Sequence, residues 1–236
     1  MKINVYGKTV DKKIIQNIFK KIKQRKGLEN LDDDLAALKI VEFLKANSKV
    51  LKKLSQADDF RKIAKSKEVA AVVKHVRAEF RPIYGLFIEK PLDVIKDVLK
   101  EEGNYIKKLL SMHVSSKERI KFYEEFYDRI FEVTGEPRII VDIACGLNPM
   151  SFEFMGLPKD TKYYALELNK NDADVINKFF TTWRINGKAY KHDITEKPIK
   201  HKADIAFAFK IFDLVDNKVT ERIIKELKVK WIAAKL

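Results

Sequence analysis

Apolar positions in the first part of the chain recur at helical spacing. Ile14, Ile15, Ile18, Phe19 and Ile22 form an i, i+3/i+4 stripe that stops at Gly27, which predicts an amphipathic helix. Asp32, Asp33 and Asp34 then place acids where a helix N-terminus favours negative charge, ahead of Leu35, Leu38, Val41, Phe43 and Leu44 on the inward side. Phe60 to Phe80 reads as a third helical stretch, broken at Arg81-Pro82 because proline disfavours helical backbone in the residue before it. Pro91 suits the first position of another helix, with Leu92, Val94, Ile95 and Leu99 inward and Gly103 after it. Nothing in this part alternates with the period of a strand.

The pattern changes further on. Ser115-Ser116-Lys117-Glu118 matches a capping box, and the helix it opens carries Ile120, Tyr123, Tyr127, Ile130 and Phe131 on one face before Gly135-Glu136-Pro137. Beyond that point β-rich runs at 138–144, 162–168, 187–191, 203–209 and 229–235 alternate with helical stretches near 151–156, 171–181 and 217–227. Such alternation predicts an α/β fold with a mostly parallel sheet and helices on both faces. The expected strand order is 3-2-1-4-5. The expected division is an all-helical domain over 1–110 and an α/β domain over 111–236.

The first strand carries the most specific pattern. Val141-Asp142-Ile143-Ala144-Cys145-Gly146-Leu147-Asn148-Pro149-Met150 reads as a buried strand with an acid near its end and a tight glycine turn. Open α/β sheets bind nucleotide-type ligands at this carboxyl edge. The turn is not Gly-x-Gly-x-x-Gly, which argues against a dinucleotide and an oxidoreductase. A lone glycine suits S-adenosylmethionine, which has no pyrophosphate. Glu167 ends the second strand, 21 positions beyond Gly146, where an acid can accept from ribose hydroxyls. Asp193, before Ile194, ends the third, placed for an adenine amino group, and Lys210 ends the fourth. Arg119 lies next to the capping box, where a guanidinium near a helix N-terminus makes a carboxylate receptor.

Composition narrows the class. Hydrophobic residues are 46% and charged residues 35% of 236, a globular balance in which no apolar run reaches bilayer-spanning length. Met1-Lys2-Ile3-Asn4-Val5 has no signal-peptide core. One cysteine, Cys145, excludes an intrachain disulfide and a cysteine-rich zinc site, so a cytoplasmic location is expected; a monomer is the expected state. Net charge is +14, and residues 1–110 hold 26 Lys/Arg against 15 Asp/Glu, a net +11. That asymmetry points to a polyanion, first of all nucleic acid, with a plain Lys/Glu-rich surface as the alternative. The candidate contacts are Lys12, Lys13, Lys20, Lys21, Lys23, Arg25 and Lys26, with Lys49, Lys52, Lys53, Arg61, Lys62 and Lys65.

Two blocks together resemble a known family. Leu110-Ser111-Met112-His113-Val114-Ser115-Ser116-Lys117-Glu118-Arg119 and Val141 to Pro149 look like those of the aminoglycoside-resistance 16S rRNA (guanine-N7) methyltransferases, and Ala206-Phe207-Ala208-Phe209-Lys210 extends the likeness. The resemblance implies a Rossmann-like class I methyltransferase sheet with an N-terminal helical domain, and S-adenosylmethionine as cofactor. It implies 16S rRNA of the small ribosomal subunit, at the decoding site, as substrate. It further implies His113, Val114, Ser115 and Arg119 at the methionine end, Ala144 and Gly146 beside the cofactor, Glu167 on the ribose, and Asp193 with Ile194 at the adenine. Ser116 and Glu167 stand where the family has Thr and Asp. Family members continue past the fifth strand with a Ser-Phe-Pro-type loop and two further strands, whereas this sequence stops at Trp231-Ile232-Ala233-Ala234-Lys235-Leu236. A methyltransferase for another RNA, and a non-catalytic relative that binds cofactor and RNA, remain as alternatives.

Overall fold

Two strands precede the first helix, against the expectation of an all-helical N-terminal part. A computed structural model describes residues 2–29, 31–84, 105–111, 114–117, 119–209 and 211–235. Strand β1 (Ile3–Val5) pairs antiparallel with β2 (Lys8–Val10), Val5 opposite Lys8, around a two-residue turn at Tyr6-Gly7. Ile3, Val5 and Val10 are buried while Asn4 and Lys8 are exposed, so the period-2 signal exists but spans only three residues per strand. Both turn residues have positive φ, 49° for Tyr6 and 74° for Gly7. That backbone matches strand twist and ordinarily takes Asn-Gly. A side chain as bulky as tyrosine costs roughly 1–2 kcal/mol there.

The helices that follow are α1 (Lys12–Lys23), α2 (Asp33–Ala46), α3 (Ser48–Ser55), α4 (Phe60–Ile63) and α5 (Lys67–Tyr84). The α1 stripe is buried as expected: Ile14, Ile15, Ile18, Phe19 and Ile22. Asp11 caps α1 by accepting from Lys13 N, and Asp32 caps α2 by accepting from Asp34 N and Leu35 N, satisfying donors that have no intrahelical partner. On α2 the buried face is Leu35, Ala36, Ala37, Ile40 and Leu44. Leu38, expected inward, is 51% exposed. The stretch from Phe60 is two helices rather than one, because Ser66 Oγ accepts from Val69 N and starts α5 anew. Helix α5 also runs through Arg81-Pro82 to Tyr84. The proposed helix from Pro91 to Gly103 lies outside the described residues.

The chain divides into two compact units, Met1–Phe87 and Ile88–Leu236. The division falls before the expected boundary at 110. Helix α6 (Tyr105–Leu110) belongs to the second unit because Ile106 and Leu110 are buried in that unit's core with Tyr123, Tyr127 and Met150. The short α7 (Val114–Lys117) and α8 (Tyr123–Thr134) are separate, with turn backbone at 119–122. Ser115 therefore lies inside α7 rather than capping a long helix. Glu118, the other half of the capping box, lies outside the described residues.

The second unit is built on a parallel sheet of β3 (Ile139–Ile143), β4 (Lys162–Glu167), β5 (Gly187–Lys191), β6 (Ile205–Phe209) and β7 (Trp231–Lys235). Its order, β5-β4-β3-β6-β7, is the expected 3-2-1-4-5. Alternate residues serve opposite faces. Ile140, Tyr163, Ala165, Ala189, Ile205 and Phe207 pack under α8, α9 (Lys170–Thr182) and a 3₁₀ helix at Asn148–Met155. Val141, Ile143, Leu166, Ala206 and Ala208 pack on the other side with Ile194, Ile199 and Ile223 of α10 (Asn217–Glu226). The edge strand β5 is held by Asn177 of α9, which donates to Ala189 O and accepts from Ala189 N. Gly187 permits that approach, since a Cβ there would lie 2.6 Å from the Phe180 ring.

Candidate functional site

Strand alternation puts three ends on one face. Asp142 of β3, Glu167 closing β4 and Phe209 closing β6 share the parity of Tyr163, Phe207 and Ile140, so they look toward the 3₁₀ helix and α8. Between β3 and the 3₁₀ helix the backbone bends sharply. Ala144 and Gly146 both have positive φ, 50° and 51°, and Cys145 N donates to Leu166 O at 3.1 Å. A non-glycine residue in the left-handed region is uncommon and marks a local constraint.

Glu167 fastens this bend. Its two oxygens accept from Gly146 N at 3.0 Å and from Asn169 N at 3.1 Å. The side chain is buried, and burial raises its pKa against the lowering effect of those backbone N–H groups. Asp172, in the first turn of α9, is buried beside it. One Asp172 oxygen has no hydrogen-bond partner, and burial together with the Glu167 charge raises its pKa. Two buried carboxyls resist full ionisation side by side while Asp172 keeps one unfilled oxygen. Asp172 escaped the sequence reading because it lies inside a helix. Its only signal was an acid in the turn after a strand-end acid.

Asp142 has a different place from the one expected of a cofactor contact. It is fully buried, and its Oδ2 accepts from Tyr163 OH at 2.7 Å and from Asn148 Nδ2 at 2.9 Å. The network continues through the Tyr127 hydroxyl, 3.2 Å from Asn148 Oδ1 and 2.7 Å from Ser151 Oγ. Asp142 thus joins β3, β4, α8 and the 3₁₀ helix and positions the bend from below. Burial pushes its pKa up to about 7. An acid whose folded pKa exceeds its unfolded one loses stability as pH rises between the two values. Asp142→Asn, which can still accept both hydrogen bonds, should therefore be about 1–3 kcal/mol more stable than the parent near pH 8, and the two should converge toward pH 4. Denaturant unfolding at several pH values checks this; a constant difference would show that Asp142 is ionised throughout.

Arg119 follows α7, and its guanidinium stands over two rings, 5.3 Å from the centre of Phe209 and 5.6 Å from that of Tyr123. Those rings fix a planar cation at the carboxyl end of β6. Its charge also lowers the Asp142 and Tyr123 pKa values against their burial, so it belongs to the same electrostatic neighbourhood. Phe209 and Tyr123 as supports of Arg119 were not read from the sequence.

The remaining expected residues divide. Asp193 Oδ1 accepts from Thr195 N and Thr195 Oγ1, closing a tight turn after β5. The Ile194 side chain is in the second core rather than in the open, and its carbonyl accepts from Arg222 Nη2. Val114 and Ser115 are helical in α7. His113 and Lys210 lie outside the described residues. Cys145 is buried, and burial raises its thiol pKa, so it is a packing residue. No helix among the described residues is long and apolar enough to cross a membrane.

The candidate basic contacts all lie in the first unit. Residues 1–87 hold 21 Lys/Arg against 10 Asp/Glu, a net +11 of the chain's +14, so most of the excess is in this unit. Lys12, Lys13, Lys20, Arg25, Lys26, Lys49, Lys52, Lys53 and Lys65 are exposed, and Lys21 is half-buried. Arg61 is held by Asp59 through Nε and Nη2, Lys62 by Asp58, and Lys23 by Asp33. Those three cations are partly neutralised where they stand.

A 3-2-1-4-5 parallel sheet, a bent glycine turn after its first strand and acids at the next strand end define a Rossmann-like class I methyltransferase fold. The 16S rRNA methylase RmtB superposes with a TM-score of 0.66 at 22% identity, over 93% of this chain and 83% of that one. RmtF, solved with S-adenosyl-L-homocysteine, gives 0.67 at 18% identity, over 93% and 78%. The family model described as ribosomal RNA methyltransferase (FmrO) matches residues 60–233, and the chain belongs to that family. A 16S rRNA (guanine(1405)-N(7))-methyltransferase of Proteus mirabilis is 30% identical over 184 residues, covering 66% of this chain and 64% of that one. The enzyme of the same name from Micromonospora rosea is 25% identical over 168 residues, covering 66% and 61%. The chain thus spans about three-fifths of the length of the curated relatives it matches.

Proposed function

We propose that this chain is an S-adenosylmethionine-dependent methyltransferase acting on guanine N7 of 16S rRNA, in the decoding site of the small ribosomal subunit, as a cytoplasmic monomer. The observation that carries the reading is the meeting of Arg119, Glu167 and the bent Ala144–Gly146 segment at the carboxyl ends of β3, β4 and β6, in a member of a ribosomal RNA methyltransferase family. The residues fit the cofactor chemically. Glu167, with the unfilled Asp172 oxygen beside it, offers acceptors for ribose hydroxyls. The clamped Arg119 offers a receptor for the methionine carboxylate, and Asp193 an acceptor for the adenine amino group.

The cofactor supplies an activated methyl on its sulfonium. Guanine N7 presents an in-plane lone pair and carries no proton, so no side chain has to act as a general base. What the chain must do is hold the two reactants in line and keep the base out of its stack. The first unit, with its net +11, takes the role of gripping the rRNA phosphates.

The test is a methylation map of 16S rRNA after small subunits are incubated with the full gene product and S-adenosylmethionine. N7 methylation of a decoding-site guanine is expected. Methylation elsewhere points to another RNA target. Cofactor binding without methyl transfer supports the non-catalytic alternative.

A further inference from the structure

The tip of the N-terminal hairpin carries a side chain that folding does not ask for. Tyr6 has φ 49° and is 76% exposed, in a position where asparagine or glycine sits without steric conflict. A ring so exposed gains little from burial to offset that strain. The base of the hairpin is well held, with Ile3, Val5 and Val10 buried, β1 against α2 and β2 against α3. The tip is therefore a ring presented on a firm support.

The unit that carries it is cationic. Lys8 follows the turn, Lys12 and Lys13 begin α1, and Lys49, Lys52 and Lys53 lie on the helix under β2, all exposed. The only acid among residues 1–28 is Asp11, and its carboxylate is engaged as the α1 cap. We propose that Tyr6 is a base-stacking contact, its ring lying on an unpaired base of the ribosomal RNA while Lys8 and other exposed lysines of the same unit meet phosphates of that RNA. An acidic protein partner could use the lysines and pack on the ring as well, and the test separates it, since it leaves subunit binding unaffected by Tyr6→Asn. A nucleic acid strand offers a π-face between phosphates and uses both. The inference rests on the reading of the first unit as the rRNA-binding part.

The test compares the intact parent chain, Tyr6→Asn, Tyr6→Phe and Tyr6→Trp for binding to small ribosomal subunits across a salt series, with thermal unfolding of each. Tyr6→Asn should unfold about 2–4 °C higher, because the left-handed strain is relieved. It should bind about tenfold or more weakly. The slope of log affinity against log salt should stay unchanged, since a stacked ring releases no counterion. Tyr6→Phe and Tyr6→Trp should bind within about threefold of the parent, as either ring stacks. A Tyr6→Asn variant that binds as tightly as the parent overturns this inference and leaves the RNA-binding role of the lysines standing. A parent that does not bind the subunit overturns both.

Discussion

Arg119→Ala and Glu167→Ala should each weaken S-adenosylmethionine binding by one to two orders of magnitude in calorimetry on the intact chain. The size follows from losing a charged hydrogen-bonding partner, about 1.5–3 kcal/mol. For Arg119 the loss is of a cation already oriented by Phe209 and Tyr123, so little ordering cost is recovered when it is removed. Arg119→Lys keeps the charge without the planar fork and should fall between. For Glu167 two effects add: the acceptor for the ribose is lost, and Gly146 N and Asn169 N lose their partner. The raised Glu167 pKa adds a pH signature. Ribose hydroxyls are accepted best by the ionised carboxylate, so affinity should decline as acidification protonates it. Unchanged affinity in both alanine variants would remove these residues from the cofactor site.

Neutralising Lys12, Lys13, Lys20, Lys49, Lys52 and Lys53 together should nearly abolish small-subunit binding at physiological salt. These side chains are exposed, on a unit with twice as many cations as acids. Each phosphate that the variant no longer grips should flatten the log–log salt dependence by about 0.7–0.9. Arg61 and Lys62 should matter less, since Asp59 and Asp58 already hold them. Residues 88–236, the whole second unit, provide the comparison. If neutralisation leaves affinity and salt slope intact, the RNA surface is on the methyltransferase unit.

The α/β half was legible because its signal is repeated. Five strand-like runs interspersed with three helical stretches point to a parallel sheet even where single boundaries shift by a residue or two. The N-terminal hairpin was not, because three residues per strand give too little alternation to see beside the long α1 stripe. The capping box misled because Ser115-x-x-Glu118 is a local pattern, and α7 already begins at Val114. In the site, the strand-end position of Glu167 was readable from spacing. The burial of Asp142 was not, since whether a strand acid faces ligand or core depends on Tyr163 and Asn148, which are 21 and 6 positions away. The same holds for Phe209 and Tyr123 around Arg119, brought together only by packing.

The hydrogen-bonded set of Asp142, Asn148, Tyr163, Tyr127 and Ser151 also bears on inhibitor design. It draws side chains from two strands, a helix and a 3₁₀ helix, and every member is buried. With the cofactor bound as proposed, a competing compound would meet a floor that cannot yield without unpairing several polar groups at once. Potency gained by pressing into that floor should be poor and should carry over to any enzyme built on the same set. Selectivity is better sought at the rim, where the Asp193–Thr195 turn and the stacked guanidinium of Arg119 present features that a ligand can reach without disturbing the core.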